Sequence, residues 1–203
     1  MAKTTKKSGK GKTVTIPAIK LKMMTIKVRN IEGSSYISGR FSPEKFKKML
    51  DTQMKKAKGA KEPRDPEADF KGSLYPMPNG KGYGIPAIAF KKAMVGACRY
   101  TDGMTMAKAS GAFFVMGDLL PIHGSDPIMR ADTVKNANGG TDIRFRGEFR
   151  QWDVMIPIRL NPNVISDEQI VNLLAHAGFH VGVGERRPER SGDQFGQFEI
   201  VTK

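Results

Sequence analysis

Two consecutive stretches of the chain, residues 143–150 and 152–160, place an apolar or small residue at every second position. A period of two is typical of a strand that buries one face and exposes the other. Residues 21–29 and 195–201 show the same alternation, and residues 112–116 form a short apolar run. The sequence therefore predicts five strands.

A sixth strand is predicted from turn chemistry. Asn138-Gly139-Gly140 precedes the strand that contains Ile143, and this type of turn favours a hairpin. The other arm of the hairpin is expected at about residues 128–135. Pro157 lies inside the following strand, which indicates an edge or a bulge because proline has no N–H to donate.

Three helices are predicted between these strands. Ser42 and Pro43 form a helix start, and the apolar residues that follow recur at helical spacing among many lysines, which predicts a basic amphipathic helix. Pro86 opens a second helix that is expected to end near Tyr100.

The third helix has the clearest signals. Ser166 and Gln169 form a capping box, and apolar residues follow at i, i+3, i+4 and i+7. Gly178 is then the expected left-handed C-terminal cap.

The order of these elements predicts the fold class. When the insertion at residues 32–85 is set aside, the elements follow each other as one strand, a helix, a group of strands that includes the hairpin, a further strand, a helix and a last strand. This is the split β-α-β-β-α-β order. We therefore expect an α+β, ferredoxin-like or RRM-like domain: an antiparallel sheet backed by two helices, with the other face of the sheet open. One domain is expected over residues 13–203, with an insertion at about 32–85, of which residues 58–84 are interpreted as an irregular or mobile loop.

The charge of the chain indicates an anionic partner. Lys and Arg number 34 against 20 Asp and Glu, a net charge of +14. Residues 1–12, predicted to be a disordered basic arm, and residues 40–64 supply 11 of these 14 excess charges. A positive field of this size favours polyanions, of which nucleic acid is the commonest.

Other function classes find little support. Cys98 is the one cysteine, which fits a reducing cytoplasm, and we expect no cofactor and no metal. His176 and His180 are four residues apart, but a helix end at Gly178 would separate them. The basic first residues lack an apolar core, and no apolar run reaches membrane-spanning length. We therefore expect neither a signal peptide nor a membrane partner.

Two segments carry a family resemblance. Residues 81–99, where GYGIP leads into a helix with two lysines, look like the helix entry of the RAMP superfamily, the RRM-like proteins that form the backbone of CRISPR effector complexes. The helix at 167–177, followed by GFHVGVGERR and a Gly-Gln-Phe strand, resembles the glycine-rich loop of that superfamily. The resemblance covers roughly residues 65–201. It implies a projecting thumb at residues 40–84 and a second projecting loop at 125–138.

The resemblance also implies a set of RNA-binding residues. Loop glycines would expose N–H groups to a sugar-phosphate backbone, and arginines would bind its oxygens. The expected RNA contacts are Lys91, Lys92, Arg99, Arg144, Arg146, His180, Gly182, Gly184, Arg186, Arg187 and Arg190. The expected basic positions of the thumb are Arg40, Lys45, Lys47, Lys48, Lys55 and Lys56.

The leading functional hypothesis is a non-enzymatic RAMP-type subunit. It would hold single-stranded guide RNA through sugar-phosphate contacts, polymerise with further copies of itself, and assemble with other CRISPR-type subunits. One alternative is a virus-encoded, stand-alone relative that binds single-stranded RNA or DNA. Another is a metal-dependent endoribonuclease that uses Asp65, Asp69 or His180.

Two further alternatives are structural. The chain could be a purely structural subunit of an assembly. The loop arginines could also pair with Glu185, Glu189 and Asp193 instead of with RNA. Trp152 could stack a base, although the start of a strand favours a core position.

Overall fold

The computed structural model describes residues 18–54, 63–135 and 139–202. The predicted basic arm and two thumb lysines, Lys55 and Lys56, lie outside these residues. The described strands are β1 (Lys22–Asn30), β2 (Tyr36–Ile37), β3 (Gly84–Pro86), β4 (Phe113–Val115), β5 (Leu119–Pro121), β6 (His123–Gly124), β7 (Ile128–Lys135), β8 (Thr141–Phe149), β9 (Trp152–Leu160) and β10 (Phe198–Ile200). The described α-helices are α1 (Pro43–Gln53), α2 (Pro66–Ser73), α3 (Ala87–Ala97), α4 (Met106–Ala112), α5 (Asp167–His176) and α6 (Pro188–Ser191).

The main sheet is antiparallel with strand order β10-β1-β9-β4, and β6 adds a short pairing at the start of β9. Its register pairs Ile26 with Ile156 and Val28 with both Val154 and Ile200. Helix α3 connects β1 to β4, and α5 connects β9 to β10. This is the predicted ferredoxin-like order, so the α+β fold class is confirmed.

The core lies between the main sheet and the two helices. Phe198 packs edge-on against Phe90 of α3, with ring centroids 5.5 Å apart, and against Trp152, at 6.2 Å. Trp152 is buried, as expected for a core residue. Cys98, at the end of α3, is also buried. On the opposite face of the sheet, large side chains such as Met23 and Phe114 are exposed, so that face is open as predicted.

A second sheet, in the order β2-β8-β7, joins the insertion to the hairpin. The predicted hairpin is present, with Ala131 opposite Phe145. Strand β2 pairs Tyr36 with Phe149, and the Tyr36 ring also contacts Trp152 at a centroid distance of 6.1 Å. These aromatic contacts join the second sheet to the main core. A third pairing, between β3 and β5, completes the sheets.

The insertion contains more regular structure than its sequence predicted. Helix α1 begins as expected, because the Ser42 side chain accepts a hydrogen bond from the N–H of Lys45. The prediction of an irregular loop at residues 58–84 is wrong for residues 66–73, which form α2 behind an Asp65 N-cap and Pro66. Proline at the first helical position and a capping aspartate are favourable local signals.

Three local predictions need correction. Gly178 does not have the positive φ of a left-handed cap, because the chain continues as a π-helix over Ala177–Val181 and turns at Gly182, where φ is 69°. The last strand begins at Phe198 and not at residue 195. Pro157 lies in β9, a central strand, and its carbonyl accepts the N–H of Met116 at 2.8 Å just beyond the end of β4. Only the hydrogen bond that an N–H at this position would donate is missing.

No helix in the described part of the chain combines the length and apolar character that a membrane crossing requires.

Candidate nucleic-acid interface

A cleft of about 360 Å³ opens between the insertion and the second sheet. Five of its lining side chains are cations, three are carboxylates and two are phenyl rings. They are Arg40, Lys45, Arg64, Arg144 and Arg146; Asp69, Asp142 and Glu185; and Phe41 and Phe145. The positive excess and the aromatic rings suit a partner that carries both phosphates and planar bases.

The cleft takes its cations from two parts of the chain that are distant in sequence. Arg40 follows β2, and Lys45 lies in the first turn of α1, so the insertion supplies one wall. Arg144 and Arg146 are two residues apart in β8, and side chains at that spacing lie on the same face of a strand. Phe145, between them on the other face of β8, also lines the cleft, so both faces of this strand contribute to it.

Arg64 connects the two walls. Its Nη1 donates to Asp142 at 2.7 Å, and its Nε donates to Asp69 at 3.0 Å. Burial raises the pKa of Asp69, but hydrogen bonds from Lys45 and Arg64 outweigh it and leave that pKa below its usual range. The hydrogen bond from Arg64 is the main cause of a lowered pKa at Asp142. Both carboxyls are therefore ionised at neutral pH, and Asp65, the other acid considered for cleavage, accepts the N–H of Ala68.

A buried ionic network forms the floor of the cleft. Arg146 is buried, its Nη2 lies 3.5 Å from Glu185, and its Nη1 lies 3.9 Å from Asp132. Asp132 is only 4% exposed and receives hydrogen bonds from Arg130 at 2.8 Å and from Arg186 at 2.7 Å. Burial is the main cause of a lowered pKa at Arg146. The predicted contact residue Arg146 therefore lies beneath the surface that a ligand would first meet.

Arg186 is held by protein carboxylates. Besides Asp132, its guanidinium donates to Asp193 through Nε at 2.9 Å and through Nη2 at 3.2 Å. These hydrogen bonds from Arg186 lower the pKa of Asp193. Arg186 also has a φ of 56°, which is unusual for a residue with a side chain. The expected bond from Arg186 to phosphate is thus replaced by three bonds to aspartates.

The other loop arginines are engaged in a similar way. Arg187 donates to the carbonyl of Gly184 at 3.1 Å and lies 3.5 Å from Glu189. Arg190 lies 3.9 Å from Glu185. The alternative in which the loop arginines pair with Glu185, Glu189 and Asp193 therefore describes the arrangement. A nucleic-acid role for Arg187 and Arg190 stays a prediction.

The loop glycines are explained by close contacts within the protein. A Cβ on Gly184 would lie 2.6 Å from the carbonyl oxygen of Ile37, and one on Gly182 would lie 3.0 Å from Pro188. The N–H of Gly182 donates to Ala177, and the N–H of Glu185 donates to Ile37, both at 2.9 Å. The prediction that this loop offers exposed amides to a sugar-phosphate backbone is therefore wrong for Gly182.

The two predicted lysines of α3 have different environments. Lys91 is buried, and its amino group donates to the carbonyls of Ala109, Ser110 and Phe113 at the end of α4. Burial lowers its pKa. The predicted RNA contact is therefore not available to Lys91, whereas Lys92 is exposed.

His180 belongs to a group of stacked rings. Its imidazole is parallel to the Tyr100 ring at a centroid distance of 4.5 Å and to the His176 ring at 5.6 Å. The interpretation that a helix end separates the two histidines is wrong, because helical structure continues to Val181. In the described ranges, no three His, Cys, Asp or Glu side chains are grouped so that they could hold a metal ion.

Two groups of ion pairs, which follow each other along residues 185–190, form a band that contains several of the predicted residues. Arg99, next to Tyr100 in the chain, pairs with Glu189, which also pairs with Arg187. Glu185 pairs with both Arg190 and Arg146 and so extends the band to the cleft. On α1, Lys47 and Lys48 are exposed.

Sequence reasoning missed Arg64, Asp142 and both phenylalanines of the cleft. Arg64 immediately precedes a capping aspartate and a proline, which marks the start of a helix. Nothing local indicates that Arg64 faces a hairpin that lies 78 residues further along the chain.

Comparisons with known proteins show no family for this chain. No family model and no curated protein match the chain. Among solved structures, the chain is similar to Cmr6 from Pyrococcus furiosus, with a TM-score of 0.48 and 9% identity, over 91% of this chain and all of that one. The fold assignment itself rests on the strand order described above.

Proposed function

We propose that this protein binds single-stranded nucleic acid, RNA in the first instance, in the cleft between the insertion and the second sheet. The observation that carries the proposal is that Arg40 and exposed Arg144 line the cleft from opposite walls, above a floor that contains a buried arginine. Arg144 lies 3.7 Å from Asp142, a partly exposed pair that a phosphate can replace. The guanidinium groups of Arg40 and Arg144 suit phosphate oxygens, which favour planar, charge-assisted donors. The net charge of +14 provides a long-range attraction for the same partner.

The lining of the cleft favours a backbone-directed mode of binding. Arginine contacts to phosphate position a strand but do not read its sequence. Phe41 is 55% exposed at the rim and offers a ring face to which any base can bind. A cleft of this volume suits one nucleotide unit of a strand better than a duplex. We therefore expect little dependence on base sequence.

The finer proposal is a RAMP-type subunit. It is supported by the two sequence segments that resemble that superfamily and by the ferredoxin-like strand order. Under this proposal, copies of the protein polymerise along a guide RNA in a CRISPR-type ribonucleoprotein, and the protein itself is not a nuclease. A stand-alone relative that binds RNA or DNA would use the same cleft.

The proposal is tested by the salt dependence of binding. Arg40→Ala and Arg144→Ala should each weaken binding of a fluorescent 20-nucleotide RNA, because each removes one phosphate contact. Each should also lower the slope of log affinity against log salt concentration by about 0.7, the value for one phosphate of a single strand. Fluorescence anisotropy between about 50 and 200 mM salt measures both quantities.

Arg159→Ala is the matched control, since Arg159 is an exposed arginine on the open face of the main sheet. It should leave the slope unchanged. A lowered slope in Arg159→Ala with unchanged slopes in the two cleft variants would move the site to the sheet face and contradict the proposal.

The non-enzymatic part has its own test. Labelled RNA incubated with the protein should stay intact in both magnesium and EDTA, because Asp69 is already bound by Lys45 and Arg64. Magnesium-dependent cuts that disappear in Asp69→Asn would identify a nuclease instead.

A further inference from the structure

We propose that Tyr100, His176, Phe179 and His180 form a base-stacking site for the same nucleic-acid strand. The inference rests on the proposed function, because it requires a single strand in the cleft. In this proposal the cleft binds phosphates of the strand, and the four rings bind one of its bases at a different place on the molecule.

The four rings are brought together by the junction of two helical segments. Tyr100 ends the 3₁₀ turn that follows α3, and the other three rings lie where α5 passes into the π-helix. In the π-helix the N–H of Gly182 bonds to the carbonyl of Ala177, five residues earlier. This wider turn presents Phe179 edge-on to His180, with ring centroids 4.9 Å apart.

The stack is open to solvent on the side that a ligand would use. Phe179 is 62% exposed and Tyr100 is 47% exposed, which is high for large rings. A shallow cleft of about 400 Å³ lies against the group, lined by Asn172, Ala175, His176, Phe179 and His180. Its lining consists of three aromatic rings, the Asn172 amide and the Ala175 methyl group, and none of these five residues carries a carboxylate. A nucleobase fits this chemistry, because it is planar and its edge can hydrogen-bond to the Asn172 amide.

The surroundings favour nucleic acid over an apolar protein segment. Arg99 is adjacent to Tyr100 in the chain and continues, through Glu189, to Arg187. Arg190, three residues after Arg187, pairs with Glu185, which lines the cleft. A strand that follows this band places phosphates near the arginines and bases near the rings. An apolar peptide would gain nothing from the charges alongside.

The experiment compares two oligonucleotides of equal length and charge. One is a 20-nucleotide uridine strand, and the other has abasic residues at alternate positions. The wild-type protein should bind the uridine strand about tenfold more tightly, which is within the range for stacking of one base on an aromatic side chain. Phe41 at the rim of the cleft also offers a ring, so the double variant Tyr100→Ala/Phe179→Ala should lower the preference at least threefold, while Phe41→Ala alone should leave most of it. With all three rings replaced by alanine, the two strands should bind within about twofold of each other.

Phe114→Ala is the matched control, because Phe114 is a 50% exposed phenylalanine on the open face of the main sheet. It should keep the preference for the uridine strand. Because Tyr100 and Phe179 are exposed, the double variant should fold, and its thermal unfolding is compared with that of the wild type. If the double variant unfolds early, the single variant Tyr100→Ala takes its place, with the preference expected to fall at least threefold.

The outcomes separate the two proposals. If the wild-type protein binds both strands equally, the phosphate contacts of the cleft stand, whereas the stacking site and the base contact at Phe41 are refuted. If it binds neither strand, both are refuted. If Phe114→Ala loses the preference and Tyr100→Ala keeps it, the bases lie on the sheet face and the stacking site is refuted.

Discussion

Gly178 lies where the last strand crosses the end of α5. A Cβ at this position would be 1.9 Å from the carbonyl oxygen of Phe198, a distance that no structure tolerates. The glycine is therefore required by the close approach of two backbones and not by a left-handed turn. The sequence suggested a cap because a glycine after an apolar helix is common in both situations.

Gly178→Ala should therefore destabilise the protein by about 3 kcal/mol or more, because the neighbouring backbone must move. Gly111→Ala is the control: Gly111 lies in α4 with open space around it, so alanine should stabilise that helix by up to about 1 kcal/mol. Urea unfolding of both variants gives the comparison. Equal stabilities would contradict the close approach.

Lys91 and Lys92 allow a second comparison of neighbouring residues. Lys91→Met should destabilise the protein by about 2 kcal/mol, because the carbonyls at the end of α4 lose a charged donor. Lys92→Met should change the stability by less than about 0.5 kcal/mol, as is usual for an exposed site. Thermal unfolding measures both effects. If Lys92→Met loses more stability than Lys91→Met, the structural role assigned to Lys91 is wrong.

The glycine-rich loop and the hairpin are fastened to each other as elements. Asp132 of β7 accepts a hydrogen bond from Arg186 of the loop. The guanidinium groups of Arg130 and Arg186 also lie 4.6 and 5.1 Å from the centroid of the Phe195 ring. The sequence showed arginines and acids in the loop but not which acids lie within reach, because Asp132 is 54 residues away. The loop therefore stabilises the position of the hairpin and is also part of the band described above.

Arg186→Ala should destabilise the protein by about 1–2 kcal/mol, since Asp132 loses its shortest ion pair but keeps Arg130. Arg186→Gly loses the same ion pairs and relieves the positive φ, so it should be about 1 kcal/mol more stable than Arg186→Ala. Urea unfolding of the two variants separates pairing from backbone strain. If Arg186→Ala is the more stable variant, the backbone is not strained there.

For the whole molecule, the sequence predicted the parts that depend on local patterns. The alternation of β9 and the capping box of α5 each lie within one segment, so the ferredoxin-like order could be predicted from them. The hairpin of the second sheet could also be predicted, from the turn at Asn138-Gly139-Gly140. The third strand of that sheet, β2, could not, because it is only two residues long and becomes a strand by pairing with β8. The same limit applies to the cleft, whose walls come from segments that the chain brings together only on folding.

The response of the whole molecule to acid follows from the same ionic contacts. The folded-state pKa values of Asp69, Asp142 and Asp193 are lowered, so these groups stabilise the fold above their unfolded pKa of about 3.9. That contribution is lost as the pH falls through the lowered values. The free energy of unfolding should stay nearly constant from pH 7 to about 5 and fall below about pH 4.

Asp142→Asn should reduce this fall by about 0.5–1 kcal/mol, the value of a partly exposed ion pair. Asp102→Asn, on an exposed turn, is the control and should leave the curve unchanged. Urea unfolding at several pH values provides the measurement, and identical curves for Asp142→Asn and the wild type would contradict this role.

The Cys98 thiol can be used to measure how often the core opens around the end of α3. It is the sole thiol of the chain, it is 6% exposed, and burial raises its pKa, so it is doubly protected from alkylating reagents. Labelling with a maleimide therefore requires α3 to separate from its neighbours. The rate of labelling under native conditions would read the opening free energy of this region directly, without denaturant or an added probe.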